Sequence, residues 1–311
     1  MRKAGLVVLS MFCFALVSST DIDYSKMSAT SLNEALVEAV RKGSSGEVQT
    51  LVQAGADGNQ NITYREHQYD DYDYIDTTTL LKYAAKEGFV DIVKVLKVKA
   101  TNDDINEALI LAAEKGRLEV VRELIQAKPK MSAINTALIS SAKKGNPSVL
   151  RELIKAGANV NHTDEYGSTA LIGLMAYNSD RETETWKKSR AQAVQDLLKA
   201  KANVNHTDKQ GNTALMRSIQ NFDLDAVQVL LKAPGININC ANKDGSTPII
   251  LACLYVQTSY VPDYYGRARK KCEDSQEILK ILLETPGINL HHANKNGTTA
   301  IKLIEDMTSR F

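Results

Sequence analysis

Residues 242–252 read NKDGSTPIILA, and how that stretch is read decides the fold. Thr247 suits a helix N-cap, because its hydroxyl can accept from the free N–H groups of a first turn. Pro248 then takes the first helical position, where a missing N–H costs nothing. The apolar run that follows is the start of a buried helix. The same arrangement recurs at Thr136-Ala137-Leu138, Thr169-Ala170-Leu171, Thr213-Ala214-Leu215 and Thr299-Ala300-Ile301. Glycines at 88, 116 and 145 end helices in left-handed turns. Second amphipathic segments follow: VDIVKVLKVKA (90–100), LEVVRELIQAK (118–128), PSVLRELIKAGANVN (147–161), AQAVQDLLKAKANVN (191–205) and LDAVQVLLKAPGININ (224–239). Repetition of a two-helix unit along a chain is the mark of a repeat architecture.

The block DEYGSTALIGL (164–174), the endings AGANVN and AKANVN, and NKDGSTPIILA itself resemble the ankyrin repeat. The resemblance covers residues 31–311. It implies an all-α fold: an ankyrin-type helical solenoid of helix-turn-helix repeats joined by short β-turn fingers, with about seven repeats and a C-terminal half-repeat across residues 20–311. It also implies a non-catalytic scaffold that binds protein through its concave face.

This chain departs from the family pattern in two ways. The histidine of the T-P-L-H-x-A signature is replaced by Lys82, Ile139, Ile172, Met216, Ile250 and Lys302, so ties between neighbouring repeats must be made otherwise, or a less stable array results. Spacing departs as well. Gly88 to Gly116 and Gly116 to Gly145 are shorter than 33 residues, which points to lost fingers. Thr169 to Thr213 and Thr247 to Thr299 are longer, which points to insertions between first and second helices. At the N-terminal end, Ser31 and Glu34 read as a capping box opening the first helix. At the other end, Leu303, Ile304, Met307 and Phe311 share the inner face of the last helix, and both ends read as water-tolerant caps.

At the front of the chain, Arg2 and Lys3 precede the apolar run from Leu6 to Val17, which is followed by Ser18, Ser19 and Thr20. That run is shorter than the roughly 20 residues that span a bilayer, so residues 1–19 are expected to be a signal peptide and the mature protein to be secreted or periplasmic. No membrane insertion is expected after cleavage. Without Arg2 and Lys3, the 38 basic residues become 36 against 37 acidic ones, and a chain so balanced gives no electrostatic reason to expect nucleic acid. Cys240, Cys253 and Cys272 would remain, an odd set without paired-cysteine zinc spacing. Cys253 falls where a first helix packs inward and is expected to be buried; pairing of Cys240 with Cys272 stays open.

Three insertions stand out, at residues 59–77, 178–189 and 256–274. NITYREHQYDDYDYID (61–76) takes the place of a finger and reads either as a solvated acidic loop or as a contact arm in which tyrosines give area and carboxylates steer a basic partner. The candidate contacts there are Tyr64, Tyr69, Asp71, Tyr72 and Tyr74. NSDRETETWKKS (178–189) holds Trp186, placed to pack on an early start of the following helix or to act as an exposed anchor. VQTSYVPDYYGRARKKCED (256–274) reads as a solvated loop or as a basic arm, whose candidate contacts are Tyr264, Tyr265 and Arg267. The last two insertions fall on the edge opposite the fingers, roughly 20 Å apart for helices packed at ordinary distances.

His162, His206, Cys240 and His292 share one column of successive fingers. Ligands must lie within about 2.3 Å of one ion. Neighbouring repeats are too widely spaced for that, so repetition explains the column and no metal or cofactor is expected. No HExxH, GxSxG or phosphate-binding glycine loop occurs, and the repeats occupy nearly all of the chain. N-x-T triplets begin at Asn61, Asn161, Asn205 and Asn296, three of them within the finger grammar. The expectation is therefore a monomeric, non-enzymatic protein-binding scaffold. An inhibitor that neutralises a secreted toxin or enzyme, and an envelope-maintenance factor, are the alternatives.

Overall fold

A computed structural model describes residues 23–67, 73–176, 184–258 and 267–308. The expected signal peptide therefore lies outside the described residues. Fifteen α-helices and one two-stranded sheet make up the described fold. Helices follow one another in successive twos: α1 (Ala29–Lys42) and α2 (Ser45–Gln53), α3 (Leu80–Glu87) and α4 (Val90–Leu96), and α5 (Asn102–Glu114) and α6 (Leu118–Ile125). The series continues with α7 (Met131–Lys143) and α8 (Pro147–Lys155), α9 (Ala170–Ala176) and α10 (Glu184–Lys199), α11 (Ala214–Gln220) and α12 (Leu224–Leu231), and α13 (Pro248–Thr258) and α14 (Arg267–Glu284). A single helix, α15 (Ala300–Thr308), closes it. This is the all-α repeat fold that the threonine-capped stripes imply.

The chain divides into two compact units, Met1–Ala108 with Arg122–Pro129, and Leu109–Val121 with Lys130–Phe311. In the first unit Leu36, Val40, Val48 and Leu51 of the opening pair are fully buried, as are Leu80, Ala84 and Val93 of the next. Burying a Leu or Val side chain contributes about 1.5–3 kcal/mol. Neither helix of a pair could do this alone, since each has only one apolar stripe. The first helix does not open with a capping box at Ser31. It begins at Ala29, and Ser28 is the cap, its Oγ accepting from Ser31 N–H at 3.2 Å.

Between the first two pairs, residues expected as an unstructured loop form an antiparallel hairpin, β1 (Asn61–His67) with β2 (Asp73–Thr79). Asn61 lies opposite Thr79 and His67 opposite Asp73. Ile62 anchors the base and is fully buried. Opposite it on the other face of β1, Thr63 Oγ1 and Thr77 Oγ1 meet at 3.1 Å across the strands. Four of the five residues from Ile75 to Thr79 are β-branched, which suits a pleated ribbon better than a loop, and that propensity is what the acidic composition masked.

In the second unit the fingers repeat one geometry. Asp164 Oδ1 accepts from the N–H groups of Tyr166 and Ser168, both at 2.8 Å. Asp208, Asn242 and Asn294 do the same two and four residues on. Adjacent fingers are then joined by backbone bonds: Lys209 N–H to Tyr166 O, Lys243 N–H to Gln210 O and Lys295 N–H to Asp244 O, at 2.9–3.0 Å. A second row joins the ends of the outer helices. Asn161 Oδ1 accepts from Asn203 N–H at 2.7 Å while its Nδ2 donates to Lys201 O at 3.2 Å. Asn205 holds Asn237 N–H and Gly235 O in the same way, and Asn239 holds Asn289 N–H and Gly287 O.

The ties that the missing signature histidine would make are thus made otherwise. Histidines of the finger column join in, His206 Nε2 meeting Gly167 O at 2.9 Å and His292 Nε2 meeting Gly245 O at 3.0 Å. These two rings are spent on neighbouring backbone.

Threonine capping holds at Thr213 and Thr299 but not at Thr247, whose buried Oγ1 has no hydrogen-bond partner among the described residues, so Pro248 opens that helix without the expected cap. Thr213 Oγ1 accepts from Met216 N–H and Thr299 Oγ1 from Lys302 N–H, both at 3.3 Å. Thr136 departs from the expectation. The finger before α7 is absent, the helix starts at Met131, and Thr136 sits inside it, donating to Ser132 O. Helix α13 is buried along its first turns because α11 and α15 flank it on both sides, and Cys253 there is fully buried as expected. Burial pushes its thiol up to about 12. Cys240 is a free, half-buried thiol.

Close contact between fingers dictates glycine at 211. Its φ is +79°, and an added Cβ would lie 2.8 Å from Lys243 N. Gly297 has φ +73° but open space around it. Gly211→Ala is expected to cost about 2 kcal/mol or more, strain plus displacement of the next finger, and Gly297→Ala only about 1 kcal/mol of strain. Urea unfolding of the two variants measures the difference.

Candidate protein-binding surfaces

The hairpin is the first candidate surface. Its base is clamped to the first unit: Leu80 N–H donates to Gln60 O at 3.0 Å, and Arg41 Nη2 donates to Thr63 O at 3.2 Å. Tyr64 packs edge-on against Tyr83, ring centroids 5.0 Å apart, and accepts a hydrogen bond from Lys86 Nζ at 3.0 Å. Tyr64 is therefore a half-buried strut that fixes the arm to α3. Tyr74 lies in β2 opposite Glu66. Tyr69, Asp71 and Tyr72 lie outside the described residues.

Beside the hairpin, Thr79 Oγ1 meets Asp104 Oδ1 at 3.4 Å, and Lys82 Nζ reaches Asp104 at 3.2 Å and Glu107 at 2.6 Å. Burial raises the Asp104 carboxyl, but the hydroxyl of Thr101 and the ammonium of Lys82 outweigh it and hold it below the ordinary value. Lys82 stands where the family signature has histidine, and here it joins α3 to α5 in place of a finger contact.

The second candidate surface is the finger row of the second unit. Finger carboxylates are turned inward onto cations of the first helices. Lys143 Nζ lies 2.5 Å from Asp164 Oδ2, and Arg217 clasps Asp208 Oδ2 through Nε and Nη2. What remains at the tips is Glu165 and Tyr166, Lys209 and Gln210, Lys243 and Asp244, and Lys295 and Asn296, all exposed. Each of these lysines gives its backbone N–H to the preceding finger, so their side chains recur once per repeat. Tyr166 is 57% exposed, with Lys143 Nζ 5.3 Å from its ring centroid. A large aromatic on a rigid turn gives contact area at little entropic cost. Repetition masked both features in the sequence, because Tyr166 and the lysines occupy tip positions that fold reasoning treats as interchangeable.

The two later insertions are in part helix. Trp186 falls in the first turn of α10, which starts early. Arg267 opens α14, so the loop expected over 256–274 is helix up to Thr258 and again from Arg267; Tyr264 and Tyr265 lie outside the described residues. A residue that sequence reasoning missed locks the α10 extension. Arg190 Nη2 lies 2.7 Å from Asp223 Oδ2, with both side chains 4% exposed. Asp223 also caps α12, its Oδ1 accepting from Ala226 N–H at 3.1 Å. Among the described residues, no helix is long and apolar enough to cross a membrane, and no group of three or more His, Cys, Asp or Glu could hold a metal ion.

Removing one partner of a buried ion pair costs about 3–5 kcal/mol. Arg190→Met is expected to destabilise the second unit by that amount, and Arg190→Met with Asp223→Asn by less, since asparagine keeps the cap; thermal and urea unfolding check both. For Asp164, burial raises the carboxyl, but the Lys143 ammonium and the Ser168 N–H outweigh it and lower its pKa. A carboxyl depressed in the folded state stabilises above its unfolded value of about 3.9, and that contribution is lost as pH falls through the folded value. Wild type should therefore exceed Lys143→Met by up to about 1 kcal/mol at pH 7, with the difference closing below about pH 3. Urea melts across that range provide the measurement.

Comparison with known families agrees with this geometry. The family model for ankyrin repeats (3 copies) matches residues 36–135 and 109–182, and that for ankyrin repeats (many copies) matches 197–252. No match to a curated protein was found.

Proposed function

We propose that this chain, which belongs to the ankyrin-repeat family, is a non-catalytic scaffold that holds a protein partner outside the cytoplasm. Ankyrin repeats are protein-protein interaction scaffolds, so the class of ligand is a protein. The observation that carries the finer reading is the finger row. Asp164, Asp208, His206 and His292 are consumed in ties within the unit, and what the row turns outward is Tyr166 and three repeat-spaced lysines, with Glu165 and Asp244 beside them. That surface suits docking against an acidic protein face with a slot for one aromatic ring. Support for the compartment comes from the front of the chain, where Arg2, Lys3 and the apolar run from Leu6 to Val17 have the layout of an export signal.

Binding is tested by crosslinked capture from the native compartment, followed by titration of the captured partner. Tyr166→Ala should weaken binding about tenfold, equivalent to about 1.4 kcal/mol. Charge reversal of Lys209, Lys243 and Lys295 together should slow association and weaken its salt dependence. Unchanged affinity in both variants would move the interface off the finger row. N-terminal sequencing of the exported protein should show a chain beginning near Thr20, and a retained Met1 would refute export by cleavage.

A further inference from the structure

We propose that the outer edge of β2 is a strand-addition site for an extended, lysine- or arginine-bearing segment of the protein partner. This inference rests on the scaffold reading above and adds a second contact with its own chemistry. Register fixes which backbone groups face outward. Leu80 N–H donates to Gln60 O, so hydrogen-bonded pairs between the strands fall at Ile62 with Thr78, Tyr64 with Asp76 and Glu66 with Tyr74. The close approach of the Thr63 and Thr77 hydroxyls fits a pair of the other kind. Asp73, Ile75 and Thr77 therefore turn their N–H and C=O groups away from β1.

The two edges are unlike. On β1, Arg41 already occupies the outward carbonyl of Thr63. On β2, no further strand follows among the described residues, because the sheet has two strands only. In the second unit every finger from Tyr166 to Asp244 lies beside another and shares a backbone bond with it. The connection after the hairpin's own repeat, residues 97–101, is a bare turn. A strand edge of this kind is a template for another chain.

Charge selects the occupant. β2 carries Asp73 and Asp76 and no cation. A second copy paired along the same edge would bring further carboxylates and no cation to the seam, so charge does not favour it. An incoming strand that carries cations meets the opposite condition, whichever face its cations take, because Asp73 and Asp76 fall on alternate faces of β2. Its main chain supplies affinity and its lysines supply selectivity.

The probe is a fluorescent alternating Lys-Val octapeptide titrated into the full chain at low salt, with an alternating Glu-Val octapeptide as control. Binding of the Lys-Val peptide alone is expected. Ile75→Pro removes one outward N–H and leaves the β1 ladder intact, since proline is tolerated on the free side of an edge strand, and should weaken binding at least about fivefold. A Lys-Val peptide methylated on alternate amide nitrogens tests the same bonds with the protein unaltered, and should lose binding to a similar degree. Equal binding of the methylated and unmethylated peptides overturns the proposal, as does concentration-dependent dimerisation abolished by Ile75→Pro. Should neither peptide bind while capture through Tyr166 persists, the strand edge falls and the scaffold reading stands. Loss of Tyr166-dependent capture with peptide binding retained has the opposite meaning.

Discussion

Backbone groups left over where one helix pair passes to the next have to be satisfied within a few ångströms of the surface, and asparagine does this along the second unit. The Oδ1 of Asn161, Asn205 and Asn239 each takes an N–H of the following repeat, and each Nδ2 gives to a carbonyl there. A free hydrogen-bonding group costs more than the bond returns, so these side chains act chiefly by preventing loss. Because the ties run between repeats, the apolar inner helices are held in register and the fingers stand parallel. Everything the unit offers to solvent, from Tyr166 to Lys295, inherits its spacing from that row.

Much of the architecture is written in local signals. Thr213 and Thr299 cap their helices as their position before an apolar stripe implies. The stripes themselves mark the second helices, and loss of fingers is visible in the shortened spacing from Gly88 to Gly145. Errors arose where a local signal depended on something distant. Thr136 has the same neighbours as the capping threonines, but without a finger before it the helix runs on through it. Ser31 and Glu34 satisfy a capping pattern that Ser28 pre-empts three residues earlier.

The hairpin was hidden for a related reason. Its stabilising contacts join Ile62 to the core of the first unit, Thr63 to Thr77, and Tyr64 to Lys86, pairs that are separated along the chain or lie in another element. Aspartates and tyrosines crowd the same segment and suggest a solvated loop. Tyr64, read from composition as a contact residue, also braces its own arm. The buried pair of Arg190 and Asp223 was equally unreadable, because an arginine in a polar insertion carries no sign that it will be 4% exposed.

Among the described residues no second helix follows α15, and beneath it lies the thiol of Cys253, whose Sγ is 4.0 Å from Ala300 O. Burial keeps that sulfur in its unreactive, protonated form. A thiol so placed is a clock for fraying: a small electrophile can reach it only in the moments when the terminal helix has lifted, so the pace of its alkylation would count those openings directly.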